Sequence, residues 1–350
     1  MDRKMDFGGL YRSMGYRLFR MNRFEEYSLY AENKNFLVSD RVITFNDPSG
    51  RVMALKPDVT LSIAKSCPDG GETQKYYYEE NVFRLDQSSG EYREIPQTGL
   101  ECMGSLDRYS VCETVALAVR SLELISDECL LDLSDMGIAA AVFDQAGLEG
   151  KARETALSFL AAKNAHGLRS LFDVPEKADT LCELSRISGG FDEALPRLKA
   201  IIPPAAAVRL EELEAQYRLL CKMGVGGRLC VDFSVVNDMH YYNGLTFRGF
   251  VSGSPRAVLS GGRYDNLMKK LGKKAGAIGF AVYLDEALDR SGAPEWEIDR
   301  LVVYGDCTSE EAVIKAVNEA AASGKSVRTS REVPTGIRAK ETVRLDKCEG

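Results

Sequence analysis

Apolar residues recur at helical spacing through Leu10, Met14, Leu18 and Phe19, which predicts an amphipathic helix over 7–21 ahead of the first strands. The spacing then shortens. Segments 41–45 and 51–55 flank the polar turn Asn46-Asp-Pro-Ser-Gly50 and predict a hairpin. Pro57-Asp-Val-Thr60 introduces a helix, with Asp58 or Thr60 able to cap it. Further strands are expected over 75–85, 95–103, 229–236 and 246–251. Strands joined by hairpins and long returns favour an α+β core built on an antiparallel sheet over a doubly wound parallel one. No Gly-x-Gly-x-x-Gly follows a first strand, so a dinucleotide fold has no foothold.

Between 139 and 223 the pattern becomes Ala-, Leu- and Glu-rich, interrupted by Ser188-Gly-Gly190 and Pro203-Pro204. It reads as a helical insertion within a core that runs over 1–290. After Gly292-Ala-Pro294 the chain restarts with a strand at 301–304, a helix over 309–322, Gly324, a strand at 325–329 and a closing segment at 341–345. These form a small α/β unit over 298–350 with a βαβ-like start.

Composition narrows the classes. At 350 residues the chain is long enough for a large core and smaller accessory parts. No apolar run approaches the roughly 20 residues of a membrane-spanning helix, and the start Met-Asp-Arg-Lys-Met-Asp carries no readable export or transit signal. A soluble, cytoplasmic protein is expected. The nine cysteines are scattered without a Cys-x-x-Cys pair, and there are two histidines, His166 and His240; neither a disulfide framework nor a metal site is supported. The net charge of −7 opposes a dominant nucleic-acid partner.

Asp58, Gln97 and Glu101 are polar groups at the ends of strand or helix candidates in a tyrosine-rich neighbourhood. A carboxylate with an amide can hold an ammonium group, and a second carboxylate an imidazole N–H. Gln97 and Glu101 are four apart, so on a strand they share a face. Ordinary solvated strand positions would show the same spacing.

Lys56-Pro-Asp-Val-Thr60, Phe83-Arg84 with Gly90-Glu-Tyr-Arg93, Gln97-x-Gly-x-Glu101, Tyr241-Tyr242 and Gly261-Gly-Arg-Tyr-Asp265 occur in that order. Together they resemble the catalytic core of class II histidyl-tRNA synthetases over residues 1 to 290. The resemblance implies an antiparallel sheet flanked by helices. It places Asp58 and Gln97 at the substrate amino group, Glu101 at the imidazole, and Tyr241 and Tyr264 along the slot. Thr60, Arg84 and Tyr242 complete the expected histidine-binding set, although Arg84 could instead pair with Glu101, Asp86 or another carboxylate.

The departures from the family decide the expected function. The synthetase Arg-Gly-Leu-Asp-Tyr-Tyr reads Asn237-Asp-Met-His-Tyr-Tyr242 here, which removes a cation from the reacting carboxylate. Such a donor is worth about 3–4 kcal/mol in the transition state. The third class II motif reads Gly279-Phe-Ala-Val-Tyr-Leu-Asp-Glu286, so its arginine is Glu286, which would repel a triphosphate, and its close-approach glycine is Tyr283, expected in nucleotide space. The C-terminal unit is about half the size of an anticodon-binding domain, so tRNA reading is not expected.

Asp232–Phe247 also resembles the regulatory subunits of short-form ATP phosphoribosyltransferases, with His240 either part of that likeness or a packed ring. The resemblance implies a noncatalytic subunit of histidine biosynthesis without catalytic residues or cofactor. It would sense free histidine, dimerise through its N-terminal part and assemble with a separate catalytic subunit. The rival readings are an active histidyl-tRNA synthetase, and a synthetase-like module binding another amino acid or a protein.

Overall fold

The computed structural model describes residues 5–33, 41–70, 72–85, 90–235, 241–288 and 296–345, and the chain divides into two units, Met1–Ala287 and Leu288–Gly350. In the first unit α1 (Phe7–Ser13) leads into β1 (Arg17–Leu18), β2 (Phe24–Glu26) and α2 (Tyr27–Glu32). The expected helix over 7–21 is therefore cut short. Gly15 adopts a left-handed φ of 82° just past the helix end, and Arg17–Leu18 pair in parallel with Tyr76–Tyr77 instead. The hairpin of β3 (Thr44–Asn46) and β4 (Val52–Leu55) follows, with β2 on the other side of β4. Next come α3 (Thr60–Ser66), β5 (Gln74–Leu85), β6 (Tyr92–Gly104), α4 (Arg108–Ile125) and β7 (Cys129–Asp135).

Six helices then intervene: α5 (Met136–Gln145), α6 (Gly150–Ala161), α7 (Ala165–Arg169), α8 (Asp179–Arg186), α9 (Phe191–Ile201) and α10 (Ala207–Lys222), with the short β8 (Ser188–Gly190) between α8 and α9. Ser188-Gly-Gly190 is thus more than an interruption, because it forms an edge strand on the main sheet. The unit closes with β9 (Leu229–Asp232), β10 (Leu245–Val251), β11 (Leu259–Arg263), α11 (Asp265–Lys270), β12 (Gly276–Tyr283) and α12 (Leu284–Leu288). Residue 236, expected in the strand of β9, lies outside the described residues.

The main sheet has nine strands in the order β1-β5-β6-β12-β11-β10-β7-β9-β8. All its pairs are antiparallel except β1 with β5 and β7 with β9. Alternation divides its two faces by chemistry. Leu100, Cys102, Leu131, Leu133, Phe247 and Phe280 are fully buried on one side, where α4 crosses β6, β12, β10 and β7. Asp107 starts α4 by accepting from the Ser110 N–H at 2.8 Å, a side-chain cap. A Cβ at Gly249 would strike Leu122 of α4, so glycine permits the close approach there.

On the opposite face register aligns Tyr76, Glu101, Gly279, Gly262, Thr246 and Ser134 across β5, β6, β12, β11, β10 and β7. The adjacent row holds Tyr78, Gly99, Ala281, Ser260, Arg248 and Asp132. This is the face that carries the chemistry.

The second unit is a parallel three-stranded sheet of order β14-β13-β15, made from β13 (Ile298–Val303), β14 (Val327–Ser330) and β15 (Ala339–Arg344), with α13 (Glu310–Ala322) linking β13 to β14. Among the described residues no helix is long and apolar enough to cross a membrane, and no group of His, Cys, Asp and Glu side chains is placed to hold a metal ion.

Candidate functional site

Glu101 is the centre of the polar face. It is 1% exposed, and each carboxyl oxygen receives a hydroxyl: the Thr60 Oγ1–H donates to Oε1 at 2.6 Å, and the Tyr264 hydroxyl donates to Oε2. Burial pushes the carboxyl up to about 8, against the pull of these two hydroxyls and with a further push from nearby Asp58. Gly279, its neighbour on β12, has to be glycine, because a Cβ there would collide with Glu101 Oε2. In the same way a Cβ at Gly99 would strike the Tyr78 hydroxyl, and one at Gly262 the Tyr242 ring. The glycines of the sheet floor are the beds on which the pocket side chains lie.

The sequence left open which residue caps α3. Asp58 does so, accepting from the Leu61 N–H at 2.8 Å, and Thr60 is released to serve Glu101. Asp58 is buried; burial raises its carboxyl above the ordinary range, offset by the Arg84 guanidinium and the helix N–H groups. Arg84 reaches Asp58 at 3.7 Å and donates to the Pro57 carbonyl at 2.7 Å. Its ion-pair partner is therefore Asp58 and not Glu101, while Asp86 lies outside the described residues. The far end of α3 is also held: Lys273 donates to the carbonyls of Ala64 at 2.5 Å, Lys65 at 2.8 Å and Cys67, a cation on exposed helix-end acceptors.

Gln97 is 3% exposed, and its Nε2 has no hydrogen-bond partner among the described residues. A buried amide left unpaired costs about 1–3 kcal/mol, so a polar group supplied by a ligand would be stabilised there. Across the sheet from Gln97 stand Glu80 and Tyr283. Glu80 pairs with Lys56, whose side chain is almost wholly buried.

Tyr241, Tyr242 and Tyr264 form the aromatic wall. Tyr241 lies 4.6 Å from Tyr242 and 5.6 Å from Tyr264 between ring centroids. Burial raises all three phenols, and the neighbouring acids Glu101 or Asp58 raise them further. They are neutral hydrogen-bonding groups at physiological pH. The structure thus brings Asp58, Thr60, Glu101, Tyr241, Tyr242 and Tyr264 together, with Arg84 against Asp58; Gln97 stands on the same face of β6, four residues along and across Gly99. Asn237 and His240 lie outside the described residues.

Sequence reasoning passed over three contributors. Tyr78, buried at the floor, was hidden in the run Tyr76-Tyr-Tyr78. Ser260 was hidden beside the two glycines of the Gly261-Gly-Arg-Tyr-Asp265 motif, for which no strand was expected and which form β11 with it. Lys273 was one of several loop lysines. The Gly261-Gly262 pair was the available signal for Ser260, since adjacent glycines in a strand mark a close approach.

The third-motif positions are also on view. Glu286 pairs with Arg256 at 3.1 Å. The Tyr283 hydroxyl lies 2.5 Å from Ser260 Oγ.

A model of the histidyl-tRNA synthetase family matches residues 4–287. An ATP phosphoribosyltransferase regulatory subunit from Caldanaerobacter subterraneus subsp. tengcongensis is 30% identical over 310 residues, covering 85% of this chain and 80% of the relative. Among solved structures, an ATP phosphoribosyltransferase regulatory subunit/histidyl-tRNA synthetase from Bacillus halodurans superposes with a TM-score of 0.79 at 22% identity, covering 98% of this chain and 93% of that one. A chain of the ATP phosphoribosyltransferase complex from Thermotoga maritima superposes with a TM-score of 0.63 at 16% identity, covering 81% and 96% respectively. At these identities the two structures speak to the fold.

Proposed function

This chain belongs to the histidyl-tRNA synthetase family and, within it, to the ATP phosphoribosyltransferase regulatory subunits; on that premise we propose that it senses free histidine for a separate catalytic subunit. It is a noncatalytic partner of a short-form ATP phosphoribosyltransferase, required for that enzyme's activity and for its feedback inhibition by histidine. The observation that carries the reading is the slot around Glu101. An imidazole would meet Glu101 with Thr60 and Tyr264 behind it. The ammonium would meet Asp58, and the remaining polar atoms the unpaired Gln97 amide.

The nucleotide side of the site supports binding without activation. A synthetase concentrates cations around the reacting phosphates. This chain has asparagine at 237, the ion-paired acid Glu286 and a phenol at 283. It therefore does not form histidyl adenylate or charge tRNA. The helix of the C-terminal unit carries Glu310, Glu311 and Glu319, charges that oppose an anticodon.

Two exposed rings support pairing of the core with a second copy through its N-terminal part. Phe24 and Phe45, 49% and 40% exposed, meet edge to face at 5.5 Å on the small sheet. Two such copies would form the core of a hetero-oligomer with the catalytic subunits. Histidine in the slot then shifts the assembly toward its less active arrangement, with a coupling of about 1–3 kcal/mol that the catalytic subunit's ligands must return reciprocally.

Calorimetric titration with free amino acids and ATP–pyrophosphate exchange with histidine test the reading together. Saturable binding of histidine over aliphatic amino acids, with no exchange, is the expected result. Appreciable exchange would establish the synthetase reading instead, and preference for another amino acid would establish a different sensor.

A further inference from the structure

We propose that Arg209, in the first turn of α10, is a positioning residue through which the helical insertion sets the affinity of the pocket for histidine. The inference rests on the histidine reading above and gives the insertion a part in it.

The residue after Tyr242 ties the aromatic wall together. Asn243 accepts from the Asp265 N–H through its side-chain oxygen at 3.0 Å and donates through Nδ2 to the Asp265 carboxylate at 3.3 Å. Its own N–H donates to the Arg263 carbonyl at 3.1 Å. One residue thus joins the stretch that carries Tyr241 and Tyr242 to the stretch that carries Tyr264, the donor to Glu101. Asp265 is fixed in turn by the Ala277 N–H at 2.9 Å and by Arg263 at 2.9 Å.

The carbonyls of Asn243 and Gly244 are both taken by the insertion. Gly244 accepts from the Met136 N–H at 2.9 Å, at the start of α5, and Asn243 accepts from Arg209 Nη2 at 2.6 Å. The first and last helices of the insertion therefore close on one dipeptide, next in the chain to Tyr242. Asp135 joins the two helices there. It caps α5 by accepting from the N–H groups of Gly137 and Ile138 at 2.9 and 3.0 Å, and it lies 3.7 Å from Arg209 Nε. A Cβ at Gly137 would stand 2.4 Å from that nitrogen, so glycine lets the guanidinium lie against the helix end. Burial raises the Asp135 carboxyl, and Arg209 leads the groups that oppose the rise.

Met136 holds its carbonyl through the backbone, so the arginine is the link that a side-chain change removes. Its planar fork serves Asp135 and Asn243 at once, and a guanidinium on a carbonyl is a charge-assisted bond. The placing of α10 is thereby passed to the Asn243 peptide, and from there to Tyr241 and Tyr242 along the chain and to Tyr264 through Asp265. Affinity that depends on the placing of these rings depends on the bond. By linkage the reverse holds, and a histidine that fixes the rings also fixes α10.

Arg209→Met and Arg209→Lys in the full chain test the link, beside Arg197→Met, which breaks an ion pair with Glu183 inside the insertion. Calorimetric titration with histidine is expected to show a loss of about fivefold or more for Arg209→Met, partly restored in Arg209→Lys. Arg197→Met is expected to keep native affinity, even where the two methionine variants lose similar resistance to urea. A second readout needs no variant: saturating histidine is expected to slow amide hydrogen exchange in α10 of the native chain. That effect is expected to vanish in Arg209→Met. Native affinity in Arg209→Met overturns the proposal while leaving the histidine pocket in place. So do equal losses of affinity in Arg209→Met and Arg197→Met. Exchange in α10 that ignores bound histidine in the native chain also overturns it, and decides the matter should Arg209→Met not fold. Absence of histidine binding to the native chain overturns the pocket reading, and this link with it.

Discussion

At the scale of single residues, the pocket is organised by a carboxyl that is expensive to ionise. A free glutamate gives up its proton near 4.5, whereas folded Glu101 holds it to about 8. Between those values the folded chain binds a proton that the unfolded chain has lost, so this residue's contribution to stability falls as pH rises through the window. Glu101→Gln cannot titrate and escapes that fall. The difference in melting temperature between Glu101→Gln and the native protein is expected to move in favour of the variant from pH 5 to pH 8; a constant difference would mean the carboxyl is already ionised. Glu101→Ala is expected to weaken histidine binding by about tenfold or more with the fold intact, measured by calorimetry and circular dichroism. The residue types Asp58, Gln97, Glu101 and Tyr264 were legible as motif positions, since amino-acid recognition demands particular donors and acceptors. The role of Thr60 was not, because its hydroxyl suits a helix cap or a carboxylate equally, and only the capping bond made by Asp58 two residues earlier settles the choice.

At the scale of elements, the site depends on a short helix and a glycine-lined strand. α3 spans only Thr60–Ser66, too short to be stable alone, and Lys273 ties off its carbonyl end from a distant loop. Lys273→Met is expected to lower stability by about 1–2 kcal/mol and to weaken histidine binding through the displaced Thr60. Unchanged denaturant midpoints would show the lysine to be superfluous. Gly279→Ala places a methyl group into Glu101. A loss of about 1–3 kcal/mol, with loss of histidine binding, is the expected outcome in urea melts and calorimetry. Long strands such as β5 were readable from their composition. β11 was not, since Leu259-Ser-Gly-Gly-Arg263 has the look of a turn and becomes a strand only because β10 and β12 bind it on both edges. The first helix was over-read for the converse reason: the apolar spacing continues past Gly15, but the chain turns there to add β1 to the sheet.

At the scale of the whole molecule, one face of the main sheet packs the core under α4 and the other carries Glu101 and the proposed pocket. The α+β organisation followed from hairpins and long returns, which pattern alone reveals. Parallel pairing of β1 with β5 and of β7 with β9 required long-range contacts that local periodicity does not encode. On the proposed reading the chain has given up the synthetase's catalytic cations and kept the amino-acid slot, which makes ligand sensing for a partner the coherent role. The most direct test is the histidine dose–response of the catalytic subunit's ATP phosphoribosyltransferase activity in complex with either the native chain or Glu101→Ala. The account predicts inhibition of the native complex at histidine concentrations that leave the Glu101→Ala complex active. Identical inhibition curves would contradict it.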